Sequence, residues 1–244
     1  MALGIDLRKI HLKPRGKNNK LAYHLRCLGH RLAPDWWISR RAKELLDSLE
    51  TRSDRDYIEQ RVNYYCRLVE QAELDGQYQL GLIPKNKNNY FRDFFEYARF
   101  FDSSLKVDVI FEDNRSIPRT PSIMKSRPLG EGIENCVLCN LDKVRHFTFL
   151  KDKRSFDSKA NKAIFRGAVY QPCRIDFMEK YFGSEWVDCG DTGNSPRNPE
   201  WRQSQITLYD HLTYKFIMAI EGWDVASNLK WIMSSNSIAV MPQP

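Results

Sequence analysis

From residue 162 to the end, short β-branched or aromatic runs take turns with longer amphipathic ones, and this alternation restricts the fold more than any other feature. "KAIFRGAVY" (162–170), "EWVDCG" (185–190), "YKFIMAI" (214–220) and "SIAVMP" (237–242) read as strands. Between them "CRIDFMEKYFG" (173–183), "ITLYDHLT" (206–213) and "VASNLKWIMSS" (225–235) read as helices, with a Gly/Asn/Pro loop at 190–199. Strands alternating with helices predict parallel βαβ units with helices on both faces of the sheet.

In such sheets ligands bind outside the carboxyl ends of the strands. The stretch "IEGWDVASNLKW" (220–231) lies at such an end. Gly222 turns the chain out of the strand, and Asp224 is placed to cap the helix that follows. The amides of Val225, Ala226, Ser227 and Asn228 then point from the positive end of that helix, a setting for a phosphate or diphosphate, with Lys230 one turn further on. "FRGAVYQPCR" brings Arg166, Gly167, Ala168 and Arg174 to the same edge. Two guanidiniums there neutralise a diphosphate without a metal, or else pair with Asp188, Asp191 or Asp224. Neither GxGxxG nor GxxxxGK[ST] occurs, which removes the main support for an NAD enzyme or a P-loop phosphotransferase.

Upstream, residues 41–50 and 53–74 read as helices. Ser53 with Asp56 resembles a capping box, and Ile58, Val62, Tyr65, Val69 and Ala72 form one apolar stripe expected in the core. "NNYFRDFFEYARFF" reads as an aromatic helix around 89–101. "LKVDVIF" (105–111) reads as a strand ending in a loop dense in Pro, Gly and charge. A hinge between two lobes is expected near 125–150.

Charge is concentrated at one end. Residues 1–41 carry ten Lys/Arg against Asp6 and Asp35, a net of +8, while the whole chain is +7. Trp36 and Trp37 lie inside this segment. A solvated tail with core tryptophans, an anionic membrane face and nucleic acid are the three readings. No apolar run approaches the roughly 18 residues of a membrane span, and the first residues lack a secretory h-region. The six cysteines are scattered, which suggests reduced thiols in a cytosolic protein. Cys136 and Cys139 with His146 are too sparse a set for a zinc site, and no metal ligand is assigned.

"FRGAVY…CR", "VDCGDT", "YKFIMAIEGWDVASNLKWIMSSNSIAVMP" and "PSIMKSRPLG…NCVLCNLDKVRHF" together resemble glycosyltransferase family 90, from about residue 88 onward and nearest its lipopolysaccharide branch. The resemblance implies an α/β, GT-B-like architecture of two Rossmann-like lobes with parallel sheets, preceded by a helical, basic N-terminal segment (1–75). Residues 76–140 would be part of the acceptor-side lobe. Residues 141–244 would be the nucleotide-sugar lobe, incomplete here because the family's chains run on beyond this last strand. It implies inverting, metal-independent transfer of a hexose or pentose from a UDP-sugar to a hydroxyl of a lipopolysaccharide or other surface glycan. "VIFEDNRSIP" matches the catalytic base to Asp113, with Glu112 second. Arg174 matches the diphosphate contact and Asp224 to Asn228 the phosphate cradle, where Trp223 departs from the family's usual Asn. Its partners would be the nucleotide sugar, a glycan or lipid-linked glycan acceptor and an anionic membrane surface through residues 1–41, with no nucleic acid and no cofactor beyond the donor. It would work as a peripheral protein at the inner face of the cytoplasmic membrane. The other reading is a non-catalytic polyanion-binding module built on the basic segment.

Overall fold

A computed structural model of the chain describes residues 16–70, 74, 78–83 and 88–243. The chain divides into two compact units, Asn19–Val144 and residues 145 onward together with 16–18.

The first unit begins with three helices, α1 (Lys20–Leu32), α2 (Asp35–Leu49) and α3 (Arg55–Tyr65). Asn19 caps α1 by accepting from the amides of Leu21 and Ala22. One side of α1 is fixed by the Tyr23 hydroxyl, 3.0 Å from Asp93, and by Arg26, 2.6 Å from Glu96. Both acids belong to α4 (Asn89–Ala98), the aromatic helix anticipated at 89–101. Burial pushes the Asp93 carboxyl above its ordinary range, while the Tyr23 hydroxyl and the Lys143 amide hydrogen-bond it.

Three readings of this region are corrected. Helix α2 starts at Asp35 rather than 41, and its tryptophans are not core: Trp36 is 68% and Trp37 43% exposed. The residue before α3 is Asp54, not Ser53. Asp54 caps nothing, because Arg52 holds both its oxygens at 2.7 Å. The apolar stripe does not run to 72 either, since Cys66 turns extended and ends α3. Val62 is exposed and Val69 is 92% exposed, while Ala72 lies outside the described residues.

A sheet of β1 (Tyr78–Gln79), β2 (Lys106–Val109), β3 (Ser122–Met124) and β4 (Cys136–Leu138) follows, in that spatial order. β2, β3 and β4 are parallel, with Ser122 opposite both Asp108 and Cys136, and β1 is antiparallel to β2. Phe94 and Ala98 of α4 pack with Ile83, Leu141, Phe91 and Phe111 to form the core beside this sheet. The short α5 (Lys143–His146) carries the boundary between the units.

The second unit is the sheet anticipated from the alternation. Its elements are β5 (Ala160–Gly167), α6 (Pro172–Tyr181), β6 (Val187–Asp191), α7 (Leu208–His211), β7 (Tyr214–Met218), α8 (Leu229–Met233) and β8 (Ile238–Val240). All four strands are parallel, in the order β6-β5-β7-β8. The two-residue period of β5 sends neighbouring side chains to opposite faces. Ile164 packs with Ile217, Trp231 and Ile232, while Phe165 packs with Ile175, Phe177, Met178 and Cys189. Helix α8 therefore covers one face and α6 the other. The fold is α/β with parallel sheets. Burial pushes the Cys139 and Cys189 thiols up to about 11, which keeps them protonated near neutral pH. No described helix is long and apolar enough to cross a membrane.

Candidate functional site

Each unit presents one group of polar side chains at the carboxyl ends of its parallel strands. In the first unit the chain leaving β2 reaches Asp113, and the chain leaving β3 reaches Lys125 in its first residue. Nζ of Lys125 lies 2.5 Å from Oδ1 of Asp113. Tyr90, in the first turn of α4, donates its hydroxyl to the same oxygen at 2.5 Å. Tyr90 is placed by Asn88, whose side chain caps α4 through the Phe91 amide and also donates to the Phe111 carbonyl, two residues before Asp113. Lys125 is nearly buried, whereas a quarter of the Asp113 side chain faces solvent. Glu112 points into solvent. Asp113 thus has what a proton acceptor needs: an accessible carboxylate oriented by a cation and a hydroxyl.

Two of these residues, Tyr90 and Lys125, were not singled out from sequence. The available signal was that Lys125 directly follows a strand, at the edge where ligands bind. Arg127, two residues on, also escaped notice. Its Cζ sits 4.6 Å from the centre of the Tyr64 ring, and its Nη1 is buried without a hydrogen-bond partner among the described residues.

In the second unit the strand order reverses direction between β5 and β7, the topological switch point of an open parallel sheet. Arg174, from the first turn of α6, lies there. Its Nη1 donates to the Ala168 carbonyl, Nη2 to Ile220 and Nε to Glu221, each at 2.9 Å. The guanidinium therefore ties the end of β5 to the end of β7. No carboxylate pairs with it among the described residues, and burial pushes its pKa down. Gly167 and Gly222 flank it; a Cβ at 222 would stand 3.3 Å from Nη2. Two buried acceptors lie at the same edge without donors among the described residues, Oδ2 of Asp191 and Oε1 of Gln171. The other oxygen of Asp191 accepts from Gly193 at 2.7 Å and from Val169 at 3.3 Å.

Two readings of this edge change. Arg166 reaches back along the sheet, with Nη2 2.6 Å from Asp188 Oδ1, while Tyr214 donates to the other Asp188 oxygen. It is an ion pair across β5 and β6. Asp224 is not the cap of α8. It is buried, residues 222–228 are bends and a single turn, and the helix opens only at Leu229, with Asn228 preceding it. The side chain of Asn228 turns back to the Met218 carbonyl at 2.9 Å and so fastens the loop to β7. The amides of Val225, Ala226 and Ser227 donate to nothing among the described residues, but they belong to the loop before α8 and not to a helix end. Lys230 lies inside α8, with Nζ 4.8 Å from the centre of the Phe147 ring. No group of three or more His, Cys, Asp or Glu that could hold a metal is gathered among the described residues.

The chain is α/β, with a carboxylate–lysine–tyrosine group in one unit and, in the other, an arginine at a parallel-sheet switch point that no carboxylate pairs with among the described residues. The chain is 32% identical, over 230 residues, to the O-glucosyltransferase LpsA of Dichelobacter nodosus. That alignment spans 93% of this chain and 72% of the relative. The chain belongs to the family of that protein and so has a glycosyltransferase relationship. No protein-family model matches it, and no solved structure does.

Proposed function

We propose that the chain is an inverting sugar transferase of glycosyltransferase family 90, working without a metal, that moves a hexose or pentose from a UDP-linked donor to a hydroxyl of a lipopolysaccharide or related surface glycan. The observation that carries this reading is the similarity to an O-glucosyltransferase along nearly the whole chain. The name of that relative makes glucose the sugar to try first. Arg174 supports it, as a desolvated cation at the switch point with no carboxylate partner among the described residues, beside two buried acceptors that suit donor hydroxyls. The two units would be the lobes of a GT-B enzyme.

In this scheme Asp113 takes the proton of the acceptor hydroxyl as its oxygen attacks the anomeric carbon. Inversion then needs no covalent nucleophile. Charge builds on the departing diphosphate, and Arg174 with the amides of 225–227 stabilises it more in the transition state than in the ground state. Gly167, Ala168 and Gly222 keep that edge free of bulk. Isothermal calorimetry with UDP and UDP-glucose in the presence of a chelator tests the reading. Binding without divalent metal is expected; binding that appears only when metal is restored, or no binding of any nucleotide sugar, removes it.

A further inference from the structure

Helix α1 shows two different sides. Tyr23 and Arg26 face α4, as their contacts with Asp93 and Glu96 require. On the opposite side Leu21, Leu25, Leu28 and Leu32 recur at steps of four and three, and they are 68%, 59%, 50% and 72% exposed. At 1.5 Å per residue this leucine edge runs about 17 Å. Lys20, His24 and Arg31 follow the same period along one border of the stripe, all exposed. Helix α1 contains no acidic residue. Lys17, Lys20, Arg31 and Lys43 make no ion pair among the described residues. Exposed Trp36 and Trp37 stand beside Arg40 and Arg41 at the start of α2.

We propose that the leucine edge of α1, bordered by Lys20, His24 and Arg31 and followed along the chain by exposed Trp36 at the start of α2, is a docking surface for an anionic lipid bilayer. A helix lying in the plane of the headgroups needs an apolar edge, cations on its border and indoles near the glycerol level, and α1 with the start of α2 supplies all three. A second copy of the chain docked face to face would set the same unpaired cations against each other. Anionic lipid instead neutralises them and receives the leucines in its acyl layer. The inference stands apart from the transferase reading, because the measurement below follows no sugar and either can fail alone.

The test is flotation of the full chain with vesicles of phosphatidylcholine alone or mixed with phosphatidylglycerol. Binding is expected only to the anionic vesicles and should weaken as salt rises. Leu25→Glu with Leu28→Glu should reduce it at least tenfold, on the order expected for removing the buried apolar edge. Lys20→Glu with Arg31→Glu should do the same by charge. If the glutamate pair lowers the melting midpoint, the reversal of the two exposed cations decides alone. Failure to bind anionic vesicles, equal binding to neutral ones, or binding untouched by both variant pairs overturns the proposal. So does a dimer on gel filtration that the leucine variant dissociates while vesicle binding is absent, since the occupant would then be a second copy.

Discussion

Nζ of Lys125 stands 2.5 Å from Oδ1 of Asp113, and the Tyr90 hydroxyl meets the same oxygen. One carboxylate oxygen thus has its position fixed from two sides, by the residue that follows β3 and by α4. If Asp113 is the base, Asp113→Asn should keep UDP affinity and lower kcat by at least ~10²-fold. Lys125→Met should lower kcat by roughly 10- to 10²-fold through misplacement, with KM for the donor unchanged, and Lys125→Arg should recover part of the loss. Steady-state assays of sugar transfer check all three. Wild-type turnover in Asp113→Asn removes the residue from the mechanism.

Arg174 joins the ends of β5 and β7 through three carbonyls, so it is a structural clamp whatever else it binds. Arg174→Ala leaves those acceptors without their donor, which should cost on the order of 3 kcal/mol in urea unfolding. It should also abolish UDP binding by calorimetry. Arg174→Lys retains a charge but cannot span three carbonyls, so both quantities should fall between those of the other two proteins. A folded Arg174→Lys protein with undiminished UDP affinity would leave the clamp as the residue's whole role.

Gly190, inside β6, is a packing position. An added Cβ would lie 2.2 Å from Cγ and 2.4 Å from Cβ of Gln203, whose own amide is held by the Asp191 carbonyl at 3.0 Å. Gln203 cannot retreat without loosening that contact. Gly190→Ala should therefore destabilise the protein by about 1–3 kcal/mol through overpacking. An unchanged thermal midpoint would show that the segment after β6 yields more easily than its hydrogen bond suggests.

What could be read from sequence was what depends on local period. Strands β5, β6, β7 and β8 and helix α4 follow from runs whose apolar spacing admits one regular structure each. Asp224 shows where that logic stops. A cap and a buried loop aspartate look alike in sequence, and only the burial of Asp224 and the late opening of α8 at Leu229 distinguish them. The Lys125–Asp113 pair joins residues that meet because β2 and β3 are parallel neighbours, a tertiary relationship without a local signature. The failure at Val62 and Val69 is of another kind. Periodicity names a helical face but not what covers it, nor that Cys66 ends the helix first.

His211 gives the protein an acid-sensitive point in the second unit. It is buried, Nδ1 lies 2.8 Å from the Thr207 carbonyl, and the ring meets Trp231 edge-on at 5.5 Å. Burial pushes its pKa below the ordinary 6.5, against the smaller opposing effect of the Thr207 bond. The unfolded chain therefore binds a proton more readily than the fold does. Stability should be level above about pH 6.5 and decline as pH falls below it. Asp188 adds a second decline only in the carboxylate range. Burial opposes its ionisation, but hydrogen bonds from Tyr214 and Arg166 hold its pKa below the usual value. Thermal midpoints measured from pH 7.5 down to pH 4 should show both stages. His211→Asn, which can still donate to Thr207, should remove the first stage and leave the second. A variant whose midpoint falls between pH 7 and pH 5.5 as steeply as the wild type would assign that loss to other groups.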